Sequence, residues 1–222
     1  ADFNGDGLHD MIISSSHVEE GRPAKIVLFN SHVDLQNDYN VIETHVIGNI
    51  PAHSVGDFNG DGKADVIFAN DPDAPENPDH STRGISYSTG PVPDLLTRIS
   101  YPLGNTTEID YTPSSAWGLT SGTAMPFVIQ TVSAITVKDG RSGEARTEYA
   151  YRGGKYNFHE RKFLGFAGVT TTLPCNAGET ACPTIDVAFR QTLASYGKPE
   201  RIEHRDGAGT LVKRVVRTWE ER

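Results

Sequence analysis

Short runs of apolar and β-branched residues, each bounded by polar turn residues, recur along the whole chain. Examples are "MIIS" after Asp10, "AKIVLFN" further on, and "VIFA" after Asp65. Runs of this length, rich in Val and Ile and followed at once by Gly, Asn, Asp or Ser, are typical of β-strands. No long segment carries a helical period. The pattern therefore predicts an all-β protein.

The second part of the chain predicts longer antiparallel strands. "LLTRISY" and "TEIDYT" alternate and flank the turn "PLGN", and a longer hairpin surrounds "DGRSG". Polar turns then separate four more strand candidates, which are "GFAGVTTTL", "DVAFRQTLASYG", "KPERIEHRD" and "TLVKRVVRTWEER". We therefore expect short strands over residues 1–92 and a meander of long antiparallel strands over residues 93–222.

A ten-residue segment occurs twice, as "ADFNGDGLHD" at residues 1–10 and "GDFNGDGKAD" at residues 56–65. Oxygens at alternating positions of such a loop can converge on one point, and Ca²⁺ prefers six to eight oxygen ligands. Gly7 and Gly62 stand where the loop must turn sharply. The spacing predicts two calcium sites. The first has the side chains of Asp2, Asn4, Asp6 and Asp10 and the carbonyl of Leu8; the second has Asp57, Asn59, Asp61 and Asp65 and the carbonyl of Lys63.

Other interpretations of this loop stay open. An EF-hand loop requires a bidentate Glu at its twelfth position, where this chain has Ile13 and Phe68, and strands rather than helices follow. The alternative without a metal is a polar Asx-type turn, although its carboxylates would then repel one another. Mg²⁺ suits the loop less well, because it prefers fewer protein ligands.

Charge divides the chain unevenly. The net charge is −9, but residues 1–93 hold 15 acidic residues against 4 Lys and Arg, and residues 94–222 hold 14 against 16. The acidic first part is not expected to bind nucleic acid. No run approaches the roughly 20 apolar residues of a membrane span. Since the chain begins inside a motif, we expect the natural N-terminus to lie upstream.

Two features leave alternatives open. Cys175 and Cys182 flank a short loop and could form a disulfide, which would fit an oxidising compartment. A metal site is the weaker alternative, because no second pair of soft ligands lies nearby. "YAYRGGKYNF" alternates aromatic and polar residues, which favours a packed sheet face over a carbohydrate-binding face. The eight His residues form no HExxH motif, and GxSxG, GxGxxG and Walker motifs are absent. We therefore predict no catalytic residues and no enzymatic activity.

The repeat itself resembles a known family. The copies lie 55 residues apart, and four strand candidates per period correspond to one propeller blade. "DFNGDGxxD" followed by a hydrophobic strand resembles the FG-GAP or VCBS repeat of β-propellers. That resemblance implies calcium bound by both loops, in a partial propeller over residues 1–92.

The second part resembles another family. "PDLLTRISYPLGNTTEIDYTPSS", "ERKFLGFAGV" and "YGKPERIEHRDGAGTLVKRVVRTW" are similar to the region after the propeller in TcB-type insecticidal toxin subunits and related Rhs proteins. The "CNAGETAC" segment departs from that pattern. The resemblance implies a non-enzymatic segment of a large secreted bacterial toxin, in which long strands begin an encapsulating shell.

The same resemblance implies the partners. These are other toxin-complex subunits or the rest of the same polypeptide, in a secreted or bacterial-surface protein with no nucleic-acid partner. The alternative is an FG-GAP propeller adhesin that recognises a protein or glycan on a host-cell surface. A propeller that scaffolds a lyase or hydrolase is a third, weaker option, because no catalytic constellation is visible.

Overall fold

The structure is a computed structural model that describes residues 11–13, 24–28, 43–48, 52–69, 83–88, 92, 95–118, 125–175 and 181–220. The chain divides into two compact units, Ala1–Leu95 and Leu96–Arg222. Both are built from antiparallel strands, and the described helical structure is a single 3-10 turn at Ser114–Ala116. The all-β prediction is confirmed.

The first unit contains two three-stranded sheets. One has the order β1-β2-β3, formed by β1 (Met11–Ile13), β2 (Ala24–Leu28) and β3 (Glu43–Gly48). The other has the order β4-β5-β6, formed by β4 (Ala52–Gly56), β5 (Asp65–Ala69) and β6 (Arg83–Ser86). The four strands expected within one 55-residue period are β1 to β4. The loop at residues 1–10 lies outside the described residues.

The second unit is one eight-stranded sheet in which each strand pairs with the next along the chain. Its strands are β7 (Arg98–Ser100), β8 (Thr106–Pro113), β9 (Gln130–Lys138), β10 (Glu144–Asn157), β11 (Lys162–Thr172), β12 (Thr184–Phe189), β13 (Pro199–Arg205) and β14 (Leu211–Val216). The predicted meander and its turns at "PLGN" and "DGRSG" are confirmed. Within the described residues of this unit, the strands make their substantial contacts with their neighbours in the sheet.

Two strands are shorter than the sequence predicts. "DVAFRQTLASYG" is extended only to Phe189, and "TLVKRVVRTWEER" only to Val216. After Phe189 the chain forms a closed turn, in which the Arg190 N–H donates to the Lys198 carbonyl and the Gly197 N–H donates to the Arg190 carbonyl. Gly197 has φ +74, a conformation that ends an extended strand.

One face of the large sheet is charged. Residues directly opposite in an antiparallel pair share a face, and the register places acids and bases of neighbouring strands together. Lys138 pairs with Glu108 at 2.7 Å, and Arg146 pairs with Asp110 at 2.8 Å. At the other edge, Glu203 is held by three guanidinium groups, those of Arg201, Arg205 and Arg214. Long charged side chains thus cover the small buried residues of this face, among them Ala134 and Thr136.

The opposite face is apolar. A row of cross-strand neighbours crosses five strands, formed by Tyr151, Val169, Val187, Ile202 and Val215. From Tyr151 the apolar surface continues as a chain of tilted and edge-to-face aromatic contacts through Trp117, Phe166, Phe163, Phe127, Tyr156 and Phe158. Tyr151, Tyr156 and Phe158 of "YAYRGGKYNF" therefore pack against other rings, as the favoured interpretation expected.

One ion pair reaches across an intervening strand. Arg152 on β10 donates twice to Asp186 on β12, with Nη1–Oδ2 at 2.7 Å and Nη2–Oδ1 at 2.9 Å. The guanidinium passes over Gly168 of β11, where an added Cβ would collide with the Arg152 side chain. Gly168, the second glycine of "GFAGV", therefore leaves the space through which this arginine reaches Asp186.

Cys175 and Cys182 form a disulfide that closes the loop between β11 and β12. The bond ties together the end of β11 and the start of β12, which already pair at Thr172 and Thr184. In the part of the chain that the structure describes, no helix has the length and apolar character needed to cross a membrane.

The Arg152–Asp186 pair should make stability depend on pH in acid. Burial raises the pKa of the Asp186 carboxyl, but hydrogen bonds from Arg152 and Thr170 lower it by more, so that its pKa lies below the ordinary 3.8. A carboxyl whose pKa is lowered on folding contributes stability that is complete above its unfolded pKa and lost as pH falls through its folded pKa. Asp186→Asn should therefore cost up to about 1 kcal/mol of unfolding free energy near neutral pH. The cost should shrink below pH 3.8 and vanish below the folded pKa.

Urea unfolding over a series of acidic to neutral pH values measures this cost. Arg152→Met should show the same pH dependence, since it removes the same pair from the other side. A difference from wild type that persists unchanged below the folded pKa would contradict the assignment.

Candidate calcium loop

The second copy of the repeated motif is the connection between β4 and β5. The two strands pair antiparallel, with Gly56 opposite Asp65, so the loop at residues 57–64 starts and ends at the same place. Strand pairing thus gathers the five predicted ligand residues of this copy, Asp57, Asn59, Asp61, Lys63 and Asp65, into one hairpin loop. The ligands predicted for the first copy lie outside the described residues.

The Asp57 carboxylate organises the start of the loop. Its Oδ1 accepts the N–H groups of Gly60 at 2.6 Å and Asp61 at 3.1 Å, and its Oδ2 accepts that of Gly62 at 2.8 Å. Gly62 has φ +84, so the sharp turn predicted at this glycine is present. Three main-chain donors that point into a tight loop are therefore satisfied by one side chain.

The middle of the loop is a short hydrogen-bonded series. The side-chain oxygen of Asn59 accepts the Asp61 N–H at 3.0 Å, and Oδ1 of Asp61 accepts the Lys63 N–H at 2.8 Å. The Lys63 ammonium lies 3.2 Å from Oδ2 of Asp61. Burial raises the pKa of the Asp61 carboxyl, but hydrogen bonds from Lys63 and Asn59 outweigh it, and the net pKa is lower than usual. Asp61 is therefore held as a carboxylate beside a cation of the chain itself.

Asp65 closes the loop from inside the core. It is fully buried, and its two carboxylate oxygens accept the N–H groups of Phe58 and Ser88, each at 2.9 Å. These bonds connect the loop to the residues after β6. The sequence did not indicate the contact with Ser88, because the motif does not specify a partner 23 positions further along the chain.

The oxygen-rich side chains of this loop are suited to bind a hard cation, but their arrangement in the structure is not that of a metal site. Carboxylate, amide and carbonyl oxygens are the ligands that Ca²⁺ prefers. Oδ2 of Asp57 and both carboxylate oxygens of Asp65 each accept one N–H group here, which leaves each of them a second lone pair. Within the described residues, however, no three or more acidic, His or Cys side chains are brought together as a metal-binding group. The carboxylates point to main-chain amides and to Lys63. The loop is thus ordered by its own hydrogen bonds.

Comparison with known proteins identifies both parts of the chain. Residues 42–196 match the family model described as the insecticide toxin TcdB middle/N-terminal region, and residues 2–68 match that of an FG-GAP-like repeat. No curated protein sequence matches the chain.

Solved structures share the fold at low identity. A Tc holotoxin pore from Photorhabdus luminescens has a TM-score of 0.56 at 18% identity over 87% of this chain. The complexes TcdB2-TccC3-Cdc42 and TcdB2-TccC3 without its hypervariable C-terminal region each have a TM-score of 0.51 at 22% identity over 77%. This chain spans only 9%, 8% and 8% of the respective matched chains.

The family match to the TcdB region covers more than half of the chain and includes the strands β7 to β12 of the meander, among them the "GFAGV" strand β11. The FG-GAP match ends within β5, directly after the loop that Asp57 organises. The chain therefore belongs to the family of the insecticide toxin TcdB middle/N-terminal region, preceded by an FG-GAP-like repeat.

Proposed function

We propose that this chain is a non-enzymatic structural segment of a secreted bacterial toxin of the TcB/Rhs kind. In this proposal the segment at residues 1–92 belongs to a calcium-bound propeller, and the segment at residues 93–222 begins the wall of an encapsulating β-shell. The observation that carries the proposal is the eight-stranded meander with one charged and one apolar face. A single-layer sheet of this kind is suited to form a wall between two different environments.

The contacts of the large sheet support a wall rather than a closed core. Its strands make their substantial contacts with neighbours in the same sheet, and apolar side chains such as Val137 and Phe158 stay largely exposed. Apolar surface of this extent requires a cover. In the proposed shell, that cover comes from the remaining polypeptide or another toxin subunit, while the charged face meets water.

Two further observations agree with secretion and with assembly. The Cys175–Cys182 disulfide is the kind of bond that persists outside the reducing cytosol. The solved relatives include complexes of TcdB2 with TccC3. The proposal therefore includes a partner subunit for this chain. An adhesin that recognises a host-cell surface would rest on the FG-GAP match alone and gives no role to the large sheet.

Cryo-electron microscopy of the complete natural polypeptide that contains this chain tests the structural role. We expect β7 to β14 in the wall of a hollow shell, with their apolar face covered. A propeller protein in which this sheet packs into an ordinary compact domain would contradict the proposal and favour the adhesin.

We propose in addition that both repeated loops bind Ca²⁺. Asp57, Asn59, Asp61, Asp65 and the Lys63 carbonyl would hold one ion. The first loop would use Asp2, Asn4, Asp6, Asp10 and the Leu8 carbonyl. Support comes from the oxygen-rich donor set at alternating positions and from the hairpin that gathers it in the second copy. A bound cation would neutralise carboxylates that stand close together.

Thermal unfolding with excess EDTA and then with Ca²⁺ measures this binding. Calcium at about a hundred times its Kd should add about 2.7 kcal/mol and raise the Tm by about 5–10 °C. In Asp57→Ala/Asp61→Ala the rise should shrink. Asp206→Ala is the matched control, since Asp206 also accepts two turn amides, those of Ala208 and Thr210, but lacks the alternating set. A wild-type Tm that calcium does not change would refute the calcium proposal and leave the shell proposal standing.

Lys63 should weaken calcium binding at the second loop. Its ammonium lies 3.2 Å from an Asp61 oxygen that the ion would use, and the equivalent residue of the first loop is the uncharged Leu8. Lys63→Leu should therefore raise calcium affinity about two- to fivefold, the usual strength of an exposed ion pair. Isothermal titration calorimetry in an Asp2→Ala/Asp6→Ala background isolates the second loop.

Lys213→Leu removes the same charge on another part of the chain and serves as the control. It should leave calcium affinity unchanged. Equal effects of the two Lys variants would mean that net charge, and not the contact with Asp61, sets the affinity.

A further inference from the structure

Two hairpin turns meet at one end of the large sheet. The β7–β8 turn is closed by a bond from the Tyr101 N–H to the Asn105 carbonyl, and the β9–β10 turn by one from the Asp139 N–H to the Gly143 carbonyl. Gly140 has φ +79, and an added Cβ there would lie 2.8 Å from the main chain of Gly104. The two turns are therefore in direct main-chain contact, which a larger residue at position 140 would prevent.

A cavity of about 270 Å³ lies at this junction, on the charged face of the sheet. It is lined by the cationic residues Arg98, Lys138 and Arg141, by Glu144, and by Gly104, Thr106, Gly140, Ser142 and Gly143. Three cations against one acid give the lining a net charge of +2. Glu108 stands beside the cavity, and Asp139 of the same turn accepts the N–H groups of Arg141 and Gly143 at 2.8 and 3.0 Å. With these two carboxylates included, the local formal charge is zero.

The cations of this cavity differ in how firmly they are already paired. Lys138 is bound to Glu108 at 2.7 Å, whereas Arg98 lies 3.8 Å from the same carboxylate and its side chain is 60% exposed. The side chains of Arg141 and Ser142 make no hydrogen bond or ion pair among the described residues, whereas the Arg141 main-chain N–H donates to Asp139 Oδ1 at 2.8 Å. Two guanidinium groups and a hydroxyl are thus available to a ligand in a concave site lined by glycine main chain.

The chemistry of these groups selects the ligand. Guanidinium forks match the oxygens of phosphate and sulfate, and glycine-rich turns let such oxygens approach the main chain. The cavity is larger than a bare phosphate ion and accommodates part of the molecule that carries it. A cation is disfavoured by the three positive side chains, and an apolar ligand by the charged and polar lining.

We propose that this cavity, between the "PLGN" and "DGRSG" turns, is a binding site for a phosphate or sulfate monoester carried on a small polar molecule such as a sugar. Arg98 and Arg141 bind the oxyanion, the Ser142 hydroxyl donates to it, and Lys138 contributes charge. Glu144 stands at the same cavity and opposes binding. The site is independent of the calcium loops and of the shell role.

Titration of the 222-residue chain with glucose 6-phosphate and glucose 6-sulfate, followed by ¹⁵N–¹H NMR at constant ionic strength, tests the proposal. We expect saturable shifts of the Gly104 and Gly140 amides with at least one ester and none with glucose. The tighter of the two esters identifies the natural source of the oxyanion. Inorganic phosphate should compete with either ester.

Two variants should move the affinity in opposite directions. Arg98→Ala/Arg141→Ala should weaken binding at least about tenfold, because each lost guanidinium removes charged hydrogen bonds. Glu144→Gln should strengthen binding about threefold, because a nearby like charge is removed. All three residues are exposed or loosely paired, so the fold should persist, and unchanged amide spectra outside the two turns would verify this.

Arg161→Ala/Arg217→Ala is the matched control. Both residues are exposed and lie at the opposite end of the sheet, and the change in net charge equals that of the first variant. Equal weakening by both double variants would show general charge screening and overturn the proposal. Absence of saturable shifts, or an affinity that Glu144→Gln lowers, would overturn it as well.

Discussion

Strand register is the constraint on which the large sheet depends. Side chains alternate between faces with a period of two, so a slip of one residue between any two strands would exchange the charged and apolar faces. Asp186 lies opposite Glu203 on the charged face, and the next residue, Val187, lies opposite Ile202 on the apolar face. The Arg152–Asp186 pair fastens this register across three strands, because it forms only when Gly168 is directly opposite Arg152.

Satisfaction of main-chain donors plays the corresponding role in the loop between β4 and β5. Tight loops leave N–H groups without strand partners, and here carboxylates supply the acceptors. Asp57 serves three of these donors, and the buried Asp65 connects the loop to Ser88. In the calcium proposal the same oxygens would bind the ion, so that loop order and the proposed binding would use one set of atoms. Lys63 contacts one of these oxygens, Oδ2 of Asp61, at 3.2 Å.

The family assignment explains why two such different pieces adjoin in one chain. An FG-GAP-like repeat ends within β5, and the TcdB-type region extends well into the sheet that begins at β7. This chain spans less than a tenth of the solved relatives that it matches. In the proposed shell, further polypeptide or a partner would cover its exposed apolar face. On the charged face, side chains that form ion pairs with one another cover the small buried residues.

Local patterns in the sequence determined the all-β fold, the order of the strands, the hairpin turns and the five candidate ligands of the second loop. These features depend on neighbouring residues, through alternation, turn-forming residues and fixed spacing. The end of β12 at Phe189, the contact of Asp65 with Ser88, the disulfide and the passage of Arg152 over Gly168 were decided only by the tertiary structure. Each of them joins residues that are distant in sequence or selects between local conformations that the sequence permits equally. The cavity between the two glycine turns belongs to the same class, because neither turn by itself specifies that Gly140 will lie against Gly104.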